Sequence, residues 1–292
     1  MEETLAASWA YVEALIARAL TEDMAFDDVT TKALIPDTLE GRASIVVKDA
    51  GVLAGGEVAR RVFLHVDSSL HIESLVDDGT RVKRGDVVAA VVGKVASILR
   101  AERTALNFLC HLSGVATETA RYVEALEGLK TQVADTRKTA PGIRLLEKYA
   151  VHVGGGTSYR LHLGDGILIK DNHLAALRSQ GIGLKEAIGI ARQSSDLEVE
   201  AEVRSVQEAL EALEAGADII LLDNMGMEDM RAVVSAADGR ALIEASGCIN
   251  LNNVRSVAET GVDIVSVGAI THSAEALDLS LDIEPAHGAS HR

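Results

Sequence analysis

The sequence predicts an α/β protein in which a mixed amino-terminal domain precedes an α/β barrel. The 292-residue chain is 48% hydrophobic and 25% charged, which is typical of a globular protein large enough for two domains. Short β-rich runs separated by turn signals follow an opening helix, whereas the rhythm changes near residue 100 and helix and strand alternate from about residue 110. We therefore assign residues 1–110 to an amino-terminal domain and residues 111–270 to a barrel domain.

The amino-terminal domain begins with a predicted helix over residues 1–20. This segment is acidic and amphipathic, so it lacks the basic leader and the uninterrupted apolar core of a signal peptide. The predicted strands that follow cover residues 43–48, 70–76 and 87–92 and are separated by turn sequences such as Asp78-Gly79. Because no apolar run approaches the roughly 20 residues of a membrane-spanning helix, the sequence excludes membrane insertion.

The sequence VDDGTRVKRGDVVAAVVG resembles the second half of a biotinyl or lipoyl carrier module. A carrier presents its modified lysine at an exposed hairpin tip, whereas Lys48 lies in a run that predicts a strand continuing into a turn. A structural sandwich is therefore the favoured interpretation of this domain, and a carrier role is the alternative.

The barrel domain is predicted from six strands separated by helical segments. Helices rich in Ala, Leu and Glu, such as residues 205–215, lie between the strands, and Gly216 or Gly261 supplies a helix stop. This alternation is typical of parallel strands with crossover helices, and six strands favour a barrel over a short open sheet. The predicted strands are 131–134, 166–169, 197–203, 219–222, 241–244 and 264–267.

The charge pattern indicates a small anionic ligand and argues against nucleic acid. The chain has a formal net charge of −16, and an acidic surface repels phosphate backbones. Three Phe, four Tyr and one Trp offer few side chains on which bases could stack. Positive charge held locally in such a protein indicates a pocket for a highly anionic ligand. Residues 135–173 hold six cations: Arg137, Lys138, Arg144, Lys148, Arg160 and Lys170.

The two cysteines give no sign of a disulfide framework or of a zinc site. Cys110 and Cys248 lie far apart in the sequence and follow no metal-ligand spacing. We therefore expect a cytoplasmic protein.

Nearly every predicted barrel strand ends in a chemically reactive or flexible residue. Barrel enzymes carry their chemistry at the carboxyl ends of the strands, so we expect these residues to share one mouth. They are Asp135-Thr136-Arg137-Lys138, Lys170-Asp171-Asn172-His173, Asp223-Asn224, Ser246-Gly247 and Gly268.

The third strand carries three carboxylates on one face. In residues 197–203 the glutamates Glu198, Glu200 and Glu202 alternate with small apolar residues, so period-two geometry directs all three to the same side. With the apolar residues packed on helices, the glutamates point into the barrel, where they require cations, a metal ion or hydroxyl donors. An edge strand with a solvated acidic face is the alternative.

Two turns after the last predicted strands are candidate phosphate sites. Ser246-Gly247 and Gly268 lie where the last two strands of phosphate-binding barrels offer backbone N–H groups to a phosphate. Gly154-Gly155-Gly156 is either a second phosphate cradle or a flexible turn that brings Arg160 into the pocket. The sequence contains neither a P-loop nor a dinucleotide-binding motif.

Several motifs, in order along essentially the whole chain, resemble the quinolinate phosphoribosyltransferases. They are ERTALNFLCHLSG, DTRKTAPGIRLLEKYAV, GGG, LIKDNH, LLDN, EASG and VGAITHS. The resemblance implies an amino-terminal α/β sandwich, joined by residues 271–292, and an incomplete, TIM-like α/β barrel. It also implies a homodimer with shared active sites, with a hexamer as the alternative assembly.

The resemblance further implies that quinolinate and phosphoribosyl pyrophosphate are joined with decarboxylation, giving nicotinate mononucleotide, pyrophosphate and CO₂ in NAD biosynthesis. Lys138, Lys170, Glu202 and Asp223 are the implied catalytic residues. Glu202 and Asp223 would bind Mg²⁺, with Glu200 as a further carboxylate, and no organic cofactor is expected. The remaining implied substrate contacts are Arg103 from the neighbouring subunit, Thr136, Arg137, Tyr159, Arg160, Ser246, Gly247, Cys248, Val267, Gly268 and Ala269.

One short motif within this pattern departs from the family. Many members read Asn-His-Arg where this chain has Ser158-Tyr159-Arg160, and tyrosine donates a hydrogen bond but carries no positive charge near neutral pH. This departure leaves two alternatives open for the function of the chain. It could be a phosphoribosyltransferase for another pyridine acid or a molybdenum-transport-associated paralogue.

Further alternatives concern different chemistry or single residues. A non-catalytic anion-binding barrel and an aldolase-like lyase with a Schiff base at Lys170 are the alternatives of other classes. Arg144, Glu147 and Lys148 have the spacing of a charged helix face, and His173 and His272 lie just beyond strand ends, where either a site role or a surface role fits.

Overall fold

A computed structural model describes residues 8–285, which divide into two compact units. The first unit comprises residues 8–118, 140–155 and 274–285, and the second comprises residues 119–139 and 156–273. The first seven residues of the predicted opening helix, and the part of the 271–292 segment beyond residue 285, lie outside the described residues.

The elements are numbered in chain order. The strands are β1 (Glu40–Val47), β2 (Gly51–Val52), β3 (His71–Leu75), β4 (Arg81–Val82), β5 (Val87–Lys94), β6 (Gln132–Ala134), β7 (Ile167–Ile169), β8 (Val199–Val203), β9 (Ile219–Asp223), β10 (Leu242–Ser246), β11 (Ile264–Ser266) and β12 (Leu279–Pro285). The α-helices are α1 (Trp9–Glu22), α2 (Val29–Leu34), α3 (Gly56–Val66), α4 (Val95–Ala125), α5 (Arg144–Val153), α6 (Asp171–Leu177), α7 (Leu184–Ser194), α8 (Val206–Ala215), α9 (Met227–Ala237), α10 (Val254–Ala258) and α11 (Ala269–His272). Short 3₁₀ helices cover Ala25–Asp27 and Arg178–Gln180.

The first unit contains a four-stranded antiparallel sheet in the order β12-β1-β5-β3. Buried and exposed side chains alternate along β1, as expected for a sheet with one face on the core. The candidate carrier residue Lys48 follows β1, and its Nζ lies 3.7 Å from Asp282 on the neighbouring strand β12. β12 pairs with β1 along its whole length, so residues 279–285 belong to this sheet.

The second unit contains a six-stranded parallel sheet in the order β6-β11-β10-β9-β8-β7. Read as a circle, this order places the six strands around a barrel in the order of the sequence. Within the described residues, however, β6 and β7 are not paired with each other, so the barrel is incomplete. The α/β fold class predicted from the helix and strand alternation is therefore confirmed, and the bounds of each predicted barrel strand lie within two residues of those observed.

Local sequence signals explain where α8 begins and ends. The Ser205 side chain accepts a hydrogen bond from the N–H of Glu208, and Gly216 follows the helix with a φ of +83°. The serine supplies an N-terminal cap, and the glycine adopts a left-handed conformation that costs other residues free energy.

Residues 140–155, which the sequence analysis assigned to the barrel, belong to the first unit instead. The reason lies in the polar contacts of α5: the Glu147 carboxylate lies 2.8 Å from His111 Nε2 and accepts a hydrogen bond of 2.9 Å from the N–H of Ala140. The Tyr149 hydroxyl donates to Asp78 Oδ2 at 2.7 Å. Glu147 and Lys148 both have 0% exposure, so their interpretation as a charged helix face is wrong.

No helix within residues 8–285 combines the length and the apolar character needed to cross a lipid bilayer.

Candidate active site

A cavity of about 360 Å³ opens at the carboxyl ends of the parallel strands in the second unit. All six strands, or the segments that directly follow them, contribute to its wall, as expected for a barrel mouth. The lining residues are Asp135, Thr136, Arg137, Lys138, Tyr159, Arg160, Leu168, Lys170, Glu200, Glu202, Leu221, Asp223, Glu244, Ser246 and Ser266.

The loop after β6 presents two cations and is held from both sides. Asp135 is buried and accepts a hydrogen bond from the Ser158 hydroxyl. The N–H of Lys138 donates to Thr136 Oγ1 at 3.0 Å, and the Thr271 hydroxyl donates to the Lys138 carbonyl at 2.7 Å. These contacts fix the backbone from which Arg137 and Lys138 reach the cavity.

Arg160 and Lys170 add positive charge on the neighbouring wall. Arg160 Nε is buried and, among the described residues, has no hydrogen-bond partner, so this guanidinium retains donor capacity for a ligand. Lys170 directly follows β7, and its Nζ lies 3.2 Å from Glu202 Oε2. A guanidinium whose buried Nε has a free donor suits a carboxylate ligand, because planar guanidinium groups bind carboxylates through paired hydrogen bonds.

Strand β8 directs two glutamates into this cavity. Val199, Ala201 and Val203 are buried, whereas Glu200 and Glu202 line the cavity, so the period-two prediction is confirmed for these two. Glu198 is exposed and does not share their face, because the strand begins one residue later. The edge-strand alternative is wrong, since β8 pairs with both β7 and β9.

The cavity is also lined by a buried carboxylate that was not predicted from the sequence. Glu244 is only 8% exposed and accepts a hydrogen bond from the Ser266 hydroxyl. Burial raises the pKa of Glu244, and burial together with the neighbouring Glu244 charge raises the pKa of Glu200 to about 8. The signal was present in the sequence, because Glu244 lies two residues before Ser246 and therefore on the same strand face.

Asp223 ends β9 and contributes a further carboxylate to the cavity wall. Its side chain is 20% exposed, and its Oδ1 accepts a hydrogen bond of 2.8 Å from Asn224 Nδ2. Its Oδ2 lies 3.0 Å from Nε of Arg204, a residue that the sequence analysis did not single out. The wall that carries Asp223 and Glu202 is therefore acidic, and it adjoins the cationic wall, because Lys170 Nζ lies 3.2 Å from Glu202 Oε2.

The two predicted phosphate turns lie beside the mouth. Gly247 has a φ of +92°, and the Asn224 side chain occupies the space that a Cβ atom would need. A Cβ on Gly268 would lie 3.2 Å from Lys138 Cδ, so this turn adjoins a cavity cation. Of the residues predicted at these turns, Ser246 lines the cavity, whereas Gly247, Cys248, Val267, Gly268 and Ala269 are not among the lining residues.

Tyr159, His173 and His272 each have a polar contact within the protein. Tyr159 lines the cavity, but its hydroxyl donates to Gln132 Oε1 at the amino end of β6, and burial raises its pKa, which keeps the phenol neutral. His173 Nδ1 accepts a hydrogen bond of 3.0 Å from the N–H of Lys170, and His272 Nδ1 lies 2.6 Å from Ser273 Oγ. Neither histidine lines the cavity, and Arg103 is an exposed residue of the first unit.

The donor atoms available for a metal ion are carboxylate oxygens. Within residues 8–285, no cluster of three or more His, Cys, Asp or Glu side chains is arranged to hold a metal ion. Glu202 and Asp223 together fit Mg²⁺, which is usually bound by one or two carboxylates with substrate phosphates and water as the remaining ligands.

Comparisons with known proteins identify the family. The model of the quinolinate phosphoribosyl transferase N-terminal domain matches residues 28–113, and that of the C-terminal domain matches residues 115–282. The nicotinate-nucleotide pyrophosphorylase [carboxylating] of Mycobacterium leprae is 41% identical, over 92% of this chain and 95% of that protein. The structure of NadC from Streptococcus pyogenes has a TM-score of 0.89 and 42% identity, covering 94% of this chain and 97% of that chain. The nicotinate-nucleotide pyrophosphorylase from Francisella tularensis gives a TM-score of 0.88 with 39% identity, over 94% of this chain and 96% of that one. With both domain models matched in order and this agreement in fold, the chain belongs to the quinolinate phosphoribosyltransferase family.

Proposed function

We propose that this chain transfers the phosphoribosyl group of phosphoribosyl pyrophosphate to quinolinate with decarboxylation, forming nicotinate mononucleotide for NAD biosynthesis. The observation that carries the proposal is the bipolar cavity, which is lined by the cations Arg137, Lys138, Arg160 and Lys170 and by five acidic side chains. Both substrates are anionic, and the reacting ribose develops positive charge, so each wall matches one part of the reaction.

The cationic wall binds the dicarboxylate. Arg137, Arg160 and Lys170 hold the two carboxylates of quinolinate, and the buried Nε of Arg160 offers one of the donors. Leu168 and Leu221 contribute apolar surface for the pyridine ring. Tyr159 contributes its side chain to the wall while its hydroxyl stays with Gln132, so it adds no charge to substrate binding.

The mouth binds phosphoribosyl pyrophosphate. Lys138 and Thr136 contact its phosphates, and Ser246 with the turns at residues 247–248 and 267–269 holds the 5′-phosphate through hydroxyl and backbone N–H groups. Glu202 and Asp223 bind the ribose hydroxyls and the metal ion. The donor set fits Mg²⁺, which would neutralise charge on the pyrophosphate and so make it a better leaving group.

With both substrates bound, the reaction proceeds by phosphoribosyl transfer and then decarboxylation. The pyridine nitrogen of quinolinate forms a bond to the anomeric carbon as the bond to pyrophosphate breaks, and the electron pair leaves with pyrophosphate. Carboxylates on the acidic wall stabilise the positive charge that develops on the ribose. The carboxylate beside the new quaternary nitrogen then departs as CO₂, and the carbanion that remains takes up a proton to give nicotinate mononucleotide.

Two further elements of the proposal come from the family. Arg103, exposed on α4, reaches the cavity of the partner subunit in a homodimer with shared active sites. We assign the enzyme to the cytoplasm, and the free thiols of Cys110 and Cys248 agree with a reducing compartment.

The direct test is to mix the purified protein with quinolinate, phosphoribosyl pyrophosphate and Mg²⁺ and to measure nicotinate mononucleotide by chromatography. Product should form with quinolinate, while nicotinate as a second pyridine acid should be a poor substrate, because it lacks one of the two carboxylates that the cationic wall binds. Absence of product with both acids would refute a pyridine phosphoribosyltransferase, and a preference for nicotinate would refute quinolinate as the substrate.

Gly247 offers a test of the phosphate turn with a matched control. Gly247→Ala and Gly239→Ala both place a Cβ on a residue with positive φ, at +92° and +73° respectively, which costs about 1–2 kcal/mol of stability. Only Gly247→Ala also displaces Asn224, whereas a Cβ on Gly239 has nothing within 4 Å. We therefore expect both variants to melt at lower temperature, but only Gly247→Ala to raise the KM for phosphoribosyl pyrophosphate, by about tenfold. Equal KM values in the two variants would contradict a role for this turn.

A further inference from the structure

Arg204 joins the carboxyl ends of three neighbouring strands at the cavity mouth. It directly follows β8, and its Nε lies 3.0 Å from Asp223 Oδ2 at the end of β9. Its Nη2 lies 3.0 Å from Oδ2 of Asp171, the first residue after Lys170 at the end of β7. One guanidinium is therefore shared between two carboxylates, of which only Asp223 lines the cavity.

The backbone of Arg204 is held by hydrogen bonds, whereas its side chain is exposed. The N–H of Arg204 donates to Glu208 Oε2 at 2.8 Å, and the N–H of Glu208 donates to the cap residue Ser205 at 3.2 Å. The Arg204 side chain itself is 58% exposed, so it can release Asp223 and keep Asp171 without disturbing the core. This anchoring keeps the positive charge near Asp223 whichever carboxylate it contacts.

Both oxygens of Asp223 already accept hydrogen bonds from the protein. Asn224 donates to Oδ1 at 2.8 Å, and Arg204 contacts Oδ2 at 3.0 Å. A divalent cation that binds Asp223 must displace one of these donors or share an oxygen with it. The guanidinium opposes the cation more strongly than the amide does, because it also carries like charge.

We propose that Arg204 is a positioning residue that competes with Mg²⁺ for the Asp223 carboxylate, and that Asp171 retains the guanidinium when the metal ion takes Asp223. This inference rests on the proposed function for the identity of the metal ion and for the role of Asp223. The competition weakens binding of the metal ion alone, and it favours Mg²⁺ that arrives on the pyrophosphate of the substrate, whose negative charge offsets that of the guanidinium.

The test measures binding of Mg²⁺ alone to the full chain by titration calorimetry, with no substrate present. The variants are Arg204→Gln, Asp223→Asn and the double variant, compared with the unmodified protein. Arg204→Gln should bind Mg²⁺ about two- to fivefold more tightly, the range expected for release of an exposed ion pair. The gain should disappear in the Asp223→Asn background, because the competition acts through that carboxylate. Asp171→Asn should weaken binding of Mg²⁺. Of the two carboxylates that the Arg204 guanidinium contacts, only Asp223 then remains, so the guanidinium competes with the metal ion more strongly.

Two results would overturn the proposal. Equal affinities for the unmodified protein and Arg204→Gln, including binding too weak to detect in both, would exclude the competition. A gain that persists in the Asp223→Asn background would show a general effect of charge instead. Because these titrations contain no substrate, their outcome is independent of whether quinolinate and phosphoribosyl pyrophosphate react in the turnover assay.

Discussion

Replacing Arg160 by glutamine should lower kcat/KM for quinolinate by roughly 30- to 5000-fold. The variant leaves a carboxylate of the substrate buried without its cationic partner, and loss of one member of a buried charge pair costs about 2–5 kcal/mol. The buried Nε of Arg160, which has no hydrogen-bond partner among the described residues, is the donor that the substrate would lose. Steady-state kinetics with quinolinate varied at saturating phosphoribosyl pyrophosphate measures the loss.

Arg192→Gln is the matched control for this variant. This variant also removes a guanidinium. In the unmodified protein, however, Arg192 contacts the Gly216 carbonyl and Asp218 and does not line the cavity. Its kcat/KM should stay within about twofold of the unmodified protein, since it makes no substrate contact. Arg160→Lys should recover only part of the loss, because an ammonium lacks the paired donors of a guanidinium. A decrease of less than threefold for Arg160→Gln, with the fold checked by thermal unfolding, would contradict the assigned role.

The second large effect concerns the partner subunit. Arg103→Ala and Lys170→Ala should each lose at least about 100-fold in activity, because each removes a cation that contacts an anionic substrate. Mixing equal amounts of the two inactive proteins should restore about one quarter of the unmodified activity. Half of the re-formed dimers are then hybrids, and each hybrid holds one intact site of two.

The control for this experiment mixes Lys170→Ala with Arg160→Gln. Both substitutions lie on the wall of the same cavity, so every hybrid has two damaged sites and no activity should return. Subunit exchange is verified in both mixtures by native mass spectrometry of differently tagged chains. No recovery for the Arg103 mixture, with exchange demonstrated, would rule out a site shared between subunits.

The α/β fold and the inward carboxylates of β8 could be predicted because strand periodicity carries direct information about side-chain direction. Glu200 and Glu202 were identified from alternation alone, and Lys170 and Asp223 from their position at strand ends. The prediction that Glu198 shares their face was wrong, because the strand begins one residue after it and periodicity does not define where a strand begins. Glu244 was not predicted, because it is a single carboxylate between the apolar residues Ile243 and Ala245 and so forms no alternating run like that of Glu198, Glu200 and Glu202.

Other features depend on contacts between distant parts of the sequence and could not be predicted locally. Glu147 and Lys148 have the spacing of an exposed helix face, yet they are buried, and Glu147 contacts His111, which lies 36 residues away in the sequence. The pairing of the Tyr159 hydroxyl with Gln132 and of Arg204 with Asp223 likewise joins residues that no sequence pattern relates. Periodicity therefore defined the strand faces, while the partners of individual polar groups required the structure.

The path of the chain limits how this molecule can be divided. The chain passes between the two units four times, at residues 118–119, 139–140, 155–156 and 273–274. A single cut near residue 114, where the two family models meet, would leave α5 on the barrel fragment without the histidine and the aspartate that its polar side chains contact. The barrel therefore does not correspond to one continuous stretch of sequence, and gene fusion or truncation at one point cannot transfer it intact to another protein.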